Sequence, residues 1–287
     1  MDTSHGNAPT QGQADIVPLD QDHPGFRDAE YRARRNAIAK LALDWRFGQP
    51  IPRAGYTEVE NGVWRTALEK LVPLHQELAC REYLQYWPAL QFPTQHIPEL
   101  ADVNVHLVRI SGFQLIPVAG LVTPRVFMSR LADGVFLSTQ YMRHHSVPLY
   151  TPEPDVIHEL IGHAALLAAP EFARMNRLFG EASKIADEPT MTALLNVYWY
   201  VMEFGLVRES GQLRIIGSGL LSSFGEMGHV KTDAEKVPFD LRRVSATGYD
   251  PTVYQRTLFV GEQGTAALFA ELTDWLNGIL RRGGTLA

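Results

Sequence analysis

The sequence has a single cysteine, and it has neither a long hydrophobic run nor an excess of basic residues. Cys80 is the only cysteine among 287 residues, which excludes an intramolecular disulfide and a cysteine-rich zinc site. No apolar run approaches the roughly 18 residues that a membrane-spanning helix needs, and the start carries no basic segment followed by an apolar one. These absences predict a cytoplasmic protein without a membrane partner.

The balance of charge also argues against nucleic acid as a partner. The chain has 26 lysine and arginine residues against 32 aspartate and glutamate residues, a net charge of −6. Binding of nucleic-acid phosphates normally requires a clustered basic face, which this balance does not favour. With 45% hydrophobic and 20% charged residues, the composition is that of an ordinary folded globular protein.

The distribution of apolar residues predicts one mostly α-helical domain of packed helices with short peripheral strands or hairpins. Residues 1–20 contain no lysine or arginine and few large apolar side chains, so we expect a disordered leader before a domain over 21–287. Short β-rich segments bounded by glycine and proline predict strands between 113 and 147 and a hairpin at 211–219. Helices are expected at 29–45, 61–80, 155–168, 170–185, 190–207 and 265–280.

Two histidines, His158 and His163, lie five residues apart on one of these predicted helices, where Asp155 is placed to cap the first turn. Five residues correspond to about 140° around a regular α-helix, so the two rings would point apart. The metalloprotease pattern His-Glu-x-x-His requires a histidine at position 162, where the chain has Gly162. A helix locally widened at that glycine would still let both rings meet one metal ion. The alternative is two histidines with ordinary polar partners.

Glu203 is the only charged residue in an apolar stretch, 196–207. A buried carboxylate is costly unless it is paired, hydrogen-bonded or bound to a metal. Two imidazoles and one carboxylate suit Fe(II) with open coordination positions, and zinc is compatible with the same ligand types. An ion pair of Glu203 with Arg143 is the structural alternative.

Six stretches of the chain, in order, resemble the pterin-dependent aromatic amino acid hydroxylases, the family of phenylalanine, tyrosine and tryptophan hydroxylases. The resemblance extends along the chain from residue 20 to about residue 275. The stretches are DHPGFRDAEYRARR (22–35), GQPIPR (48–53), GFQLIPVAGLVTPRVF (112–127), TQYMRHHSVPLYTPEPDVIHELIGH (139–163), VYWYVMEFGL (197–206) and GSGLLSSFGE (217–226). The resemblance implies a single catalytic domain built around a mononuclear iron.

The activity that the resemblance implies is ring hydroxylation of a free aromatic amino acid by O2, with a tetrahydropterin as cofactor. His158, His163 and Glu203 would hold the iron. The expected partner is a small-molecule amino acid. Nothing after residue 280 is similar to the heptad-bearing tail that tetramerises animal relatives, so we expect a monomer.

The resemblance also implies a pterin site. Backbone groups of Val118, Gly120, Leu121 and Val122 would bind the pterin edge, and Phe127 would stack on its ring. Glu159 matches a carboxylate near the pterin and would take part in catalysis. From the residues alone, a core turn with a packed aromatic and a solvated helix glutamate remain open.

For the substrate, the resemblance implies that Arg143 clamps the amino-acid carboxylate through its guanidinium fork. Thr151 and Ser222 would support that carboxylate, and Ser222 would also support a metal-ligand histidine and so contribute to catalysis. The aromatic ring would lie against Pro154, Trp199 and Phe204. Core packing is the alternative explanation for both aromatic side chains.

Two positions favour phenylalanine as the substrate and tyrosine as the product. Trp199 resembles the phenylalanine and tyrosine enzymes, and Val260 stands where phenylalanine enzymes carry an apolar residue and tyrosine enzymes an aspartate. An apolar wall suits an unhydroxylated ring, because a phenol hydroxyl would lack a partner there. Leu137 and Ile216 replace the family's usual histidine and tyrosine, which leaves meta-hydroxylation or tryptophan as the alternative.

Two other classes of function use the same residues. A zinc hydrolase would bind its ion through His158, His163 and Glu203 with Glu159 as general base, and it would need neither pterin nor O2. A non-catalytic scaffold would keep the fold but turn over no aromatic amino acid.

Overall fold

The computed structural model describes residues 15–286 and has the predicted mostly α-helical architecture with small sheets. The α-helices are α1 (Ala29–Asp44), α2 (Glu58–Leu78), α3 (Arg81–Tyr86), α4 (Leu100–Ser111), α5 (Pro124–Leu131), α6 (Ala165–Leu167), α7 (Pro170–Ile185), α8 (Glu188–Tyr198), α9 (Ser218–Leu221), α10 (Phe224–Thr232), α11 (Leu241–Ala246) and α12 (Gly264–Arg281). A 3₁₀ turn, Trp87–Leu90, follows α3. Two π-helical segments, His158–Ala164 and Trp199–Glu203, precede α6 and follow α8.

Two small sheets lie beside the helices. The first pairs β1 (Gln114–Pro117) in parallel with β2 (Val135–Ser138). The second has the order β4-β3-β6-β5, with strands β3 (Leu206–Glu209), β4 (Gln212–Ile215), β5 (Glu235–Pro238) and β6 (Thr257–Gly261). The predicted segments between 113 and 147 therefore form one parallel pair of strands, and α5 is the connection between them.

Side-chain caps fix several helix starts. Thr57 and Glu60 form a reciprocal capping box at the start of α2, and the Asp187 side chain accepts a hydrogen bond from the Thr190 N–H at the start of α8. Pro170 occupies the first turn of α7, where its missing N–H costs nothing. The start at Pro170 agrees with the prediction, whereas α2 and α8 start at Glu58 and Glu188, shortly before the predicted residues 61 and 190, because the caps at Thr57 and Asp187 were overlooked.

The predicted helix over 190–207 is correct as far as Glu203 and wrong beyond it. After α8 the chain widens into the second π-helical segment, leaves the helix at Phe204 and begins β3 at Leu206. The apolar run continues through this change because the strand is as buried as the helix, so hydrophobicity alone did not reveal the boundary. The hairpin consequently starts earlier than predicted, with β3 and β4 joined at Ser210 and Gly211, both at positive φ.

The predicted leader is only partly within the described residues, since residues 1–14 lie outside them. From Asp15 to Asp20 the chain lies on the domain surface. The Asp15 carboxylate accepts hydrogen bonds from Arg32 and Asn36 of α1, and Leu19 is buried.

The core is centred on α7, whose Phe172, Met175 and Phe179 are fully buried. Cys80 is also buried and carries a free thiol. Across residues 15–286, no helix combines the length and apolar character that crossing a membrane requires.

We expect Gly180→Ala to destabilise the fold by about 1–3 kcal/mol, because α7 packs on α5 through this glycine. An added Cβ would lie 2.8 Å from the Ala132 Cα and from the Leu131 carbonyl carbon, and neither backbone atom can move freely. Gly228→Ala in α10 is the matched control, since nothing lies within 4 Å of its added Cβ; it should stabilise by about 0.5–1 kcal/mol. Urea unfolding measures both values, and equal effects of the two substitutions would contradict the packing.

Candidate metal and substrate site

The first π-helical segment brings the two histidines together, as a widened helix should. The Ala165 N–H bonds to the carbonyls of Leu160, five residues earlier, and Gly162, three residues earlier, instead of to the carbonyl four residues earlier. The Nε2 atoms of His158 and His163 consequently lie 2.9 Å apart, whereas a regular α-helix would separate the rings around its axis. The two rings meet edge to face, with centroids 4.6 Å apart.

Glu203, at the end of the second π-helical segment, is the third member of this group. Its Oε1 lies 3.2 Å from Nε2 of His163, and its Oε2 lies 3.9 Å from Nε2 of His158. The Ser218 hydroxyl donates to Oε2 at 2.7 Å. We call His158, His163 and Glu203 the metal triad; the predicted alternative for Glu203, an ion pair with Arg143, is wrong.

The donor atoms of the metal triad fit a single metal ion. Neighbouring ligands at bonds of roughly 2.1 Å and right angles lie roughly 3.0 Å apart, close to the 2.9 Å and 3.2 Å separations here. The three side chains are 16%, 7% and 12% exposed, so one side of the group stays open. Two nitrogens and one oxygen on one face leave positions for exchangeable ligands.

Ser222 selects the ring nitrogen that His158 presents to the metal position. The Ser222 hydroxyl donates to the Ser218 carbonyl at 2.9 Å, so its oxygen can accept from Nδ1–H of His158, which is also 2.9 Å away. With the proton on Nδ1, the lone pair of Nε2 is directed toward His163 and Glu203. This is the arrangement in which an outer hydrogen bond orients a metal-binding histidine.

The protonation of the metal triad reflects the crowding of its charges. Burial and, after it, the charge of His163 lower the pKa of His158 to about 4, although the Glu203 and Asp155 carboxylates act in the opposite direction. Burial also opposes protonation of His163, but the Glu203 carboxylate outweighs it and raises the pKa of His163 above its usual value. Burial would raise the pKa of Glu203, yet the charge and hydrogen bond of His163 bring it down to about 2. The carboxylate therefore stays ionised and attracts a cation.

Arg143 and Asp155 form a buried, two-pronged ion pair next to the metal triad. Nε and Nη2 of Arg143 donate to the two carboxylate oxygens at 2.8 Å each, and Asp155 also accepts from the backbone N–H of His158 at 3.1 Å. The predicted cap at Asp155 is confirmed. Burial would raise the pKa of Asp155, but the Arg143 guanidinium holds it below its usual value. Of five guanidinium N–H donors, this pair uses two.

Glu159 is buried and faces β2 instead of solvent, so the solvated alternative is wrong. Its Oε1 accepts from the backbone N–H of Thr139 at 3.0 Å and from the Thr139 hydroxyl at 2.9 Å. Burial raises the pKa of Glu159 to about 7, although the charge of His163 and the Thr139 hydrogen bonds act in the opposite direction.

The stretch predicted to bind pterin follows β1 and leads into α5. Leu121 is 76% exposed, Val118 and Val122 are half-buried, and Val17 packs against Gly120. Phe127 meets the edge of Phe136 at 5.3 Å, and Phe136 in turn lies 4.4 Å from the ring of His163. Packed aromatic rings thus connect this stretch to the metal triad.

The predicted substrate residues occupy several different elements. Tyr249 stacks on Trp199 at 4.2 Å and 8°, and Phe204 lies 4.6 Å from the same indole. The Thr151 hydroxyl donates to the Glu153 carbonyl at 2.7 Å within a loop, and the half-buried Pro154 follows in that loop. Val260 is buried in β6 between Leu206 of β3 and Pro238 of β5.

Comparison with known proteins agrees with this geometry. The family model of biopterin-dependent aromatic amino acid hydroxylases matches residues 12–282. The chain belongs to that family. It is 41% identical over 264 residues to a tyrosine 3-monooxygenase of Schistosoma mansoni, and the matched segment covers 90% of this chain and 57% of that protein. It is 43% identical over 249 residues to a phenylalanine-4-hydroxylase of Rattus norvegicus, and the matched segment covers 85% of this chain and 55% of that protein. The chain thus spans little more than half the length of these relatives.

Solved structures of the family share the fold. A phenylalanine hydroxylase of Chromobacterium violaceum with bound Fe(III) and 7,8-dihydrobiopterin has a TM-score of 0.75 and 28% identity, covering 87% of this chain and 96% of that one. An apo phenylalanine hydroxylase of Colwellia psychrerythraea has a TM-score of 0.69 and 28% identity, covering 78% and 90%.

Several residues around the metal triad were not identified from the sequence. Ser218 binds Glu203, Thr139 binds Glu159, and Gln255 accepts a hydrogen bond from the Trp199 indole at 3.1 Å. Each is a common polar residue with no distinctive spacing. Only Ser218 had a local signal, because it lies between two glycines that permit a close backbone approach.

We expect Ser218→Ala to weaken Fe(II) binding by about 10–100-fold with the fold intact, since the Glu203 carboxylate loses the hydroxyl that orients it. Ser129→Ala in α5 is the control, because that hydroxyl lies 3.0 Å from the Val126 carbonyl, just as the Ser218 hydroxyl lies 3.0 Å from the Met202 carbonyl, but it is away from the metal triad. Competition with a chromophoric Fe(II) chelator measures the affinity, and circular dichroism checks the fold. Equal affinities of both variants would contradict the orienting role of Ser218.

Proposed function

We propose that the chain is an iron- and tetrahydropterin-dependent monooxygenase that hydroxylates the ring of free phenylalanine to give tyrosine. The observation that carries the proposal is the convergence of two imidazoles and one carboxylate at the spacing of a single metal ion. His158, His163 and Glu203 would hold the iron. When bound, iron and tetrahydropterin supply the activation of O2 and the transfer of one oxygen atom.

The residues of the chain act by positioning. Ser222 and Ser218 orient His158 and Glu203 before the iron binds, so the donor atoms need little reorganisation. Phe127, and the backbone from Val118 to Val122, receive the pterin. Glu159, held by Thr139, presents a carboxyl group whose protonation near neutral pH suits a hydrogen bond to the pterin.

The amino acid is held at two ends. The Arg143 donors that Asp155 leaves free bind its carboxylate, and the Asp155 pair fixes the plane of the guanidinium. Thr151 and Ser222 support this end of the site indirectly, because their hydroxyls donate to the carbonyls of Glu153 and Ser218 and so hold the backbone there. Pro154, Trp199 and Phe204 contact the ring, while Tyr249 and Gln255 keep the indole of Trp199 in place.

The preference for phenylalanine over tyrosine rests on apolar surroundings. Val260 is 1% exposed and offers no partner for a phenol hydroxyl, whose burial without a hydrogen bond costs about 1–3 kcal/mol. Leu137 and Ile216 are also buried, so the positions that usually carry histidine and tyrosine in the family are apolar here. The relatives include both phenylalanine and tyrosine hydroxylases, so substrate choice requires a direct assay.

The assay supplies Fe(II), a tetrahydropterin and O2 together with phenylalanine, tyrosine or tryptophan, and it identifies products by mass and ring substitution. We expect para-hydroxylated phenylalanine and at least about tenfold lower kcat/KM for the other two amino acids. Glu203→Gln, the matched negative control, should abolish turnover and remain folded.

Other outcomes of this assay separate the alternatives. A meta-hydroxylated product, or tryptophan as the better substrate, would overturn the substrate assignment but retain the class. Hydrolysis that needs zinc and neither pterin nor O2 would support the hydrolase instead. No product from any of the three amino acids would contradict the proposal.

Arg143→Lys tests the carboxylate clamp. A lysine keeps the charge beside Asp155 but loses the planar fork, so KM for the amino acid should rise at least about tenfold while kcat changes less. Arg81→Lys, at a side chain that is 78% exposed, is the control and should leave both constants unchanged. A fall in kcat with constant KM would contradict substrate binding by Arg143.

A further inference from the structure

A second group of metal-binding side chains lies at the start of α1. Asp28, His144 and His145 each offer a ligand atom, and these atoms all lie within 4.8 Å of one another. Across residues 15–286, this group and the metal triad are the two that meet that distance. We call these three residues the α1 cluster. It has the same composition as the metal triad, namely two imidazoles and one carboxylate.

The carboxylate of the α1 cluster has one oxygen engaged by the fold and one directed at an imidazole. Asp28 caps α1, where its Oδ1 accepts from the Tyr31 N–H at 3.0 Å. Its Oδ2 lies 3.2 Å from Nε2 of His144. This separation equals that between His163 and Glu203 in the metal triad, so it accommodates an ion bound by both groups.

The ring of His144 is held by Ser146 on one side and by Asp28 on the other. Its Nδ1 lies 2.7 Å from the Ser146 hydroxyl and accepts from the Ser146 N–H at 3.3 Å, so Nε2 carries the proton that faces Asp28. Binding of an ion at Nε2 therefore requires that proton to move to Nδ1, where the Ser146 hydroxyl can accept a hydrogen bond from it. The ring is buried and meets the edge of Tyr31 at 4.9 Å, and Tyr31 is itself bonded to the Met142 carbonyl. His144 is therefore held in place before any ion binds.

His145 gives the α1 cluster access to solvent. Its ring lies 4.3 Å from the ring of His144, and the residue is exposed. An ion can therefore reach the cluster, and water can complete its coordination. The neighbouring cation, Arg143, is neutralised by its buried pair with Asp155.

We propose that Asp28, His144 and His145 form a second metal site that binds a zinc-class divalent cation on the protein surface. Imidazole and carboxylate ligands without a thiolate suit zinc, with water as its fourth ligand. The site is separate from the metal triad, and its occupancy does not depend on the proposed hydroxylase activity.

The test counts metals on the iron-loaded protein. Zn²⁺ is added in equilibrium dialysis, and total zinc and iron per chain are measured by mass spectrometry. Wild type should bind one equivalent of metal more than His145→Asn, whose zinc affinity should fall at least about tenfold. His96→Asn replaces an exposed histidine outside both groups and should behave as wild type.

A count of total metal keeps the result interpretable if zinc displaces iron, because the difference between wild type and His145→Asn remains one equivalent. Four-coordinate Co²⁺ gives a second readout, since its visible absorption should appear in iron-loaded wild type and His96→Asn but not in His145→Asn. Equal metal counts in wild type and His145→Asn, or no metal bound beyond one per chain, would overturn the second site.

Discussion

The five-residue spacing of His158 and His163 is the constraint on which the rest of the site depends. Their rings can share one metal ion only if the helix between them is widened, and widening leaves a turn with weaker backbone hydrogen bonds. Glycines allow the surrounding chain to pack on that turn. An added Cβ at Gly162 would lie 2.6 Å from the Ser218 carbonyl oxygen, so the start of α9 lies directly against the first π-helical segment. This contact places Ser218 and Ser222 within reach of the triad.

The second constraint is the cost of burying charge beside the metal position. Asp155, Glu159 and Glu203 are all carboxylates in a largely buried region, and each has a different compensating partner. Asp155 is paired with Arg143, Glu159 is hydrogen-bonded by Thr139 and shifted toward its neutral form, and Glu203 remains ionised against His163. Their surroundings therefore give the three carboxyl groups different tendencies to bind a proton. The fold thus provides an anionic ligand, a fixed guanidinium and a carboxyl group that titrates near neutral pH.

The sequence was informative where the local chemistry is distinctive. The start of α7 at Pro170 and the cap at Asp155 followed from the rules for helix starts, and the possible widening at Gly162 followed from the histidine spacing. The change from helix to strand after Glu203 could not be predicted, since a buried helix and a buried strand present the same apolar run. Ser218 and Thr139 were missed for another reason: their roles come from contacts across 15 and 20 residues, which spacing along one helix does not reveal.

In the proposed function, both histidines bind the same iron because the helix between them is widened. Pulsed electron paramagnetic resonance of the Fe(II)–nitric oxide complex tests this arrangement, because it counts the imidazole nitrogens on the metal. The geometry predicts two equivalents of bound imidazole in wild type and one in His163→Ala. A single imidazole in wild type, or an unchanged count in His163→Ala, would contradict the claim.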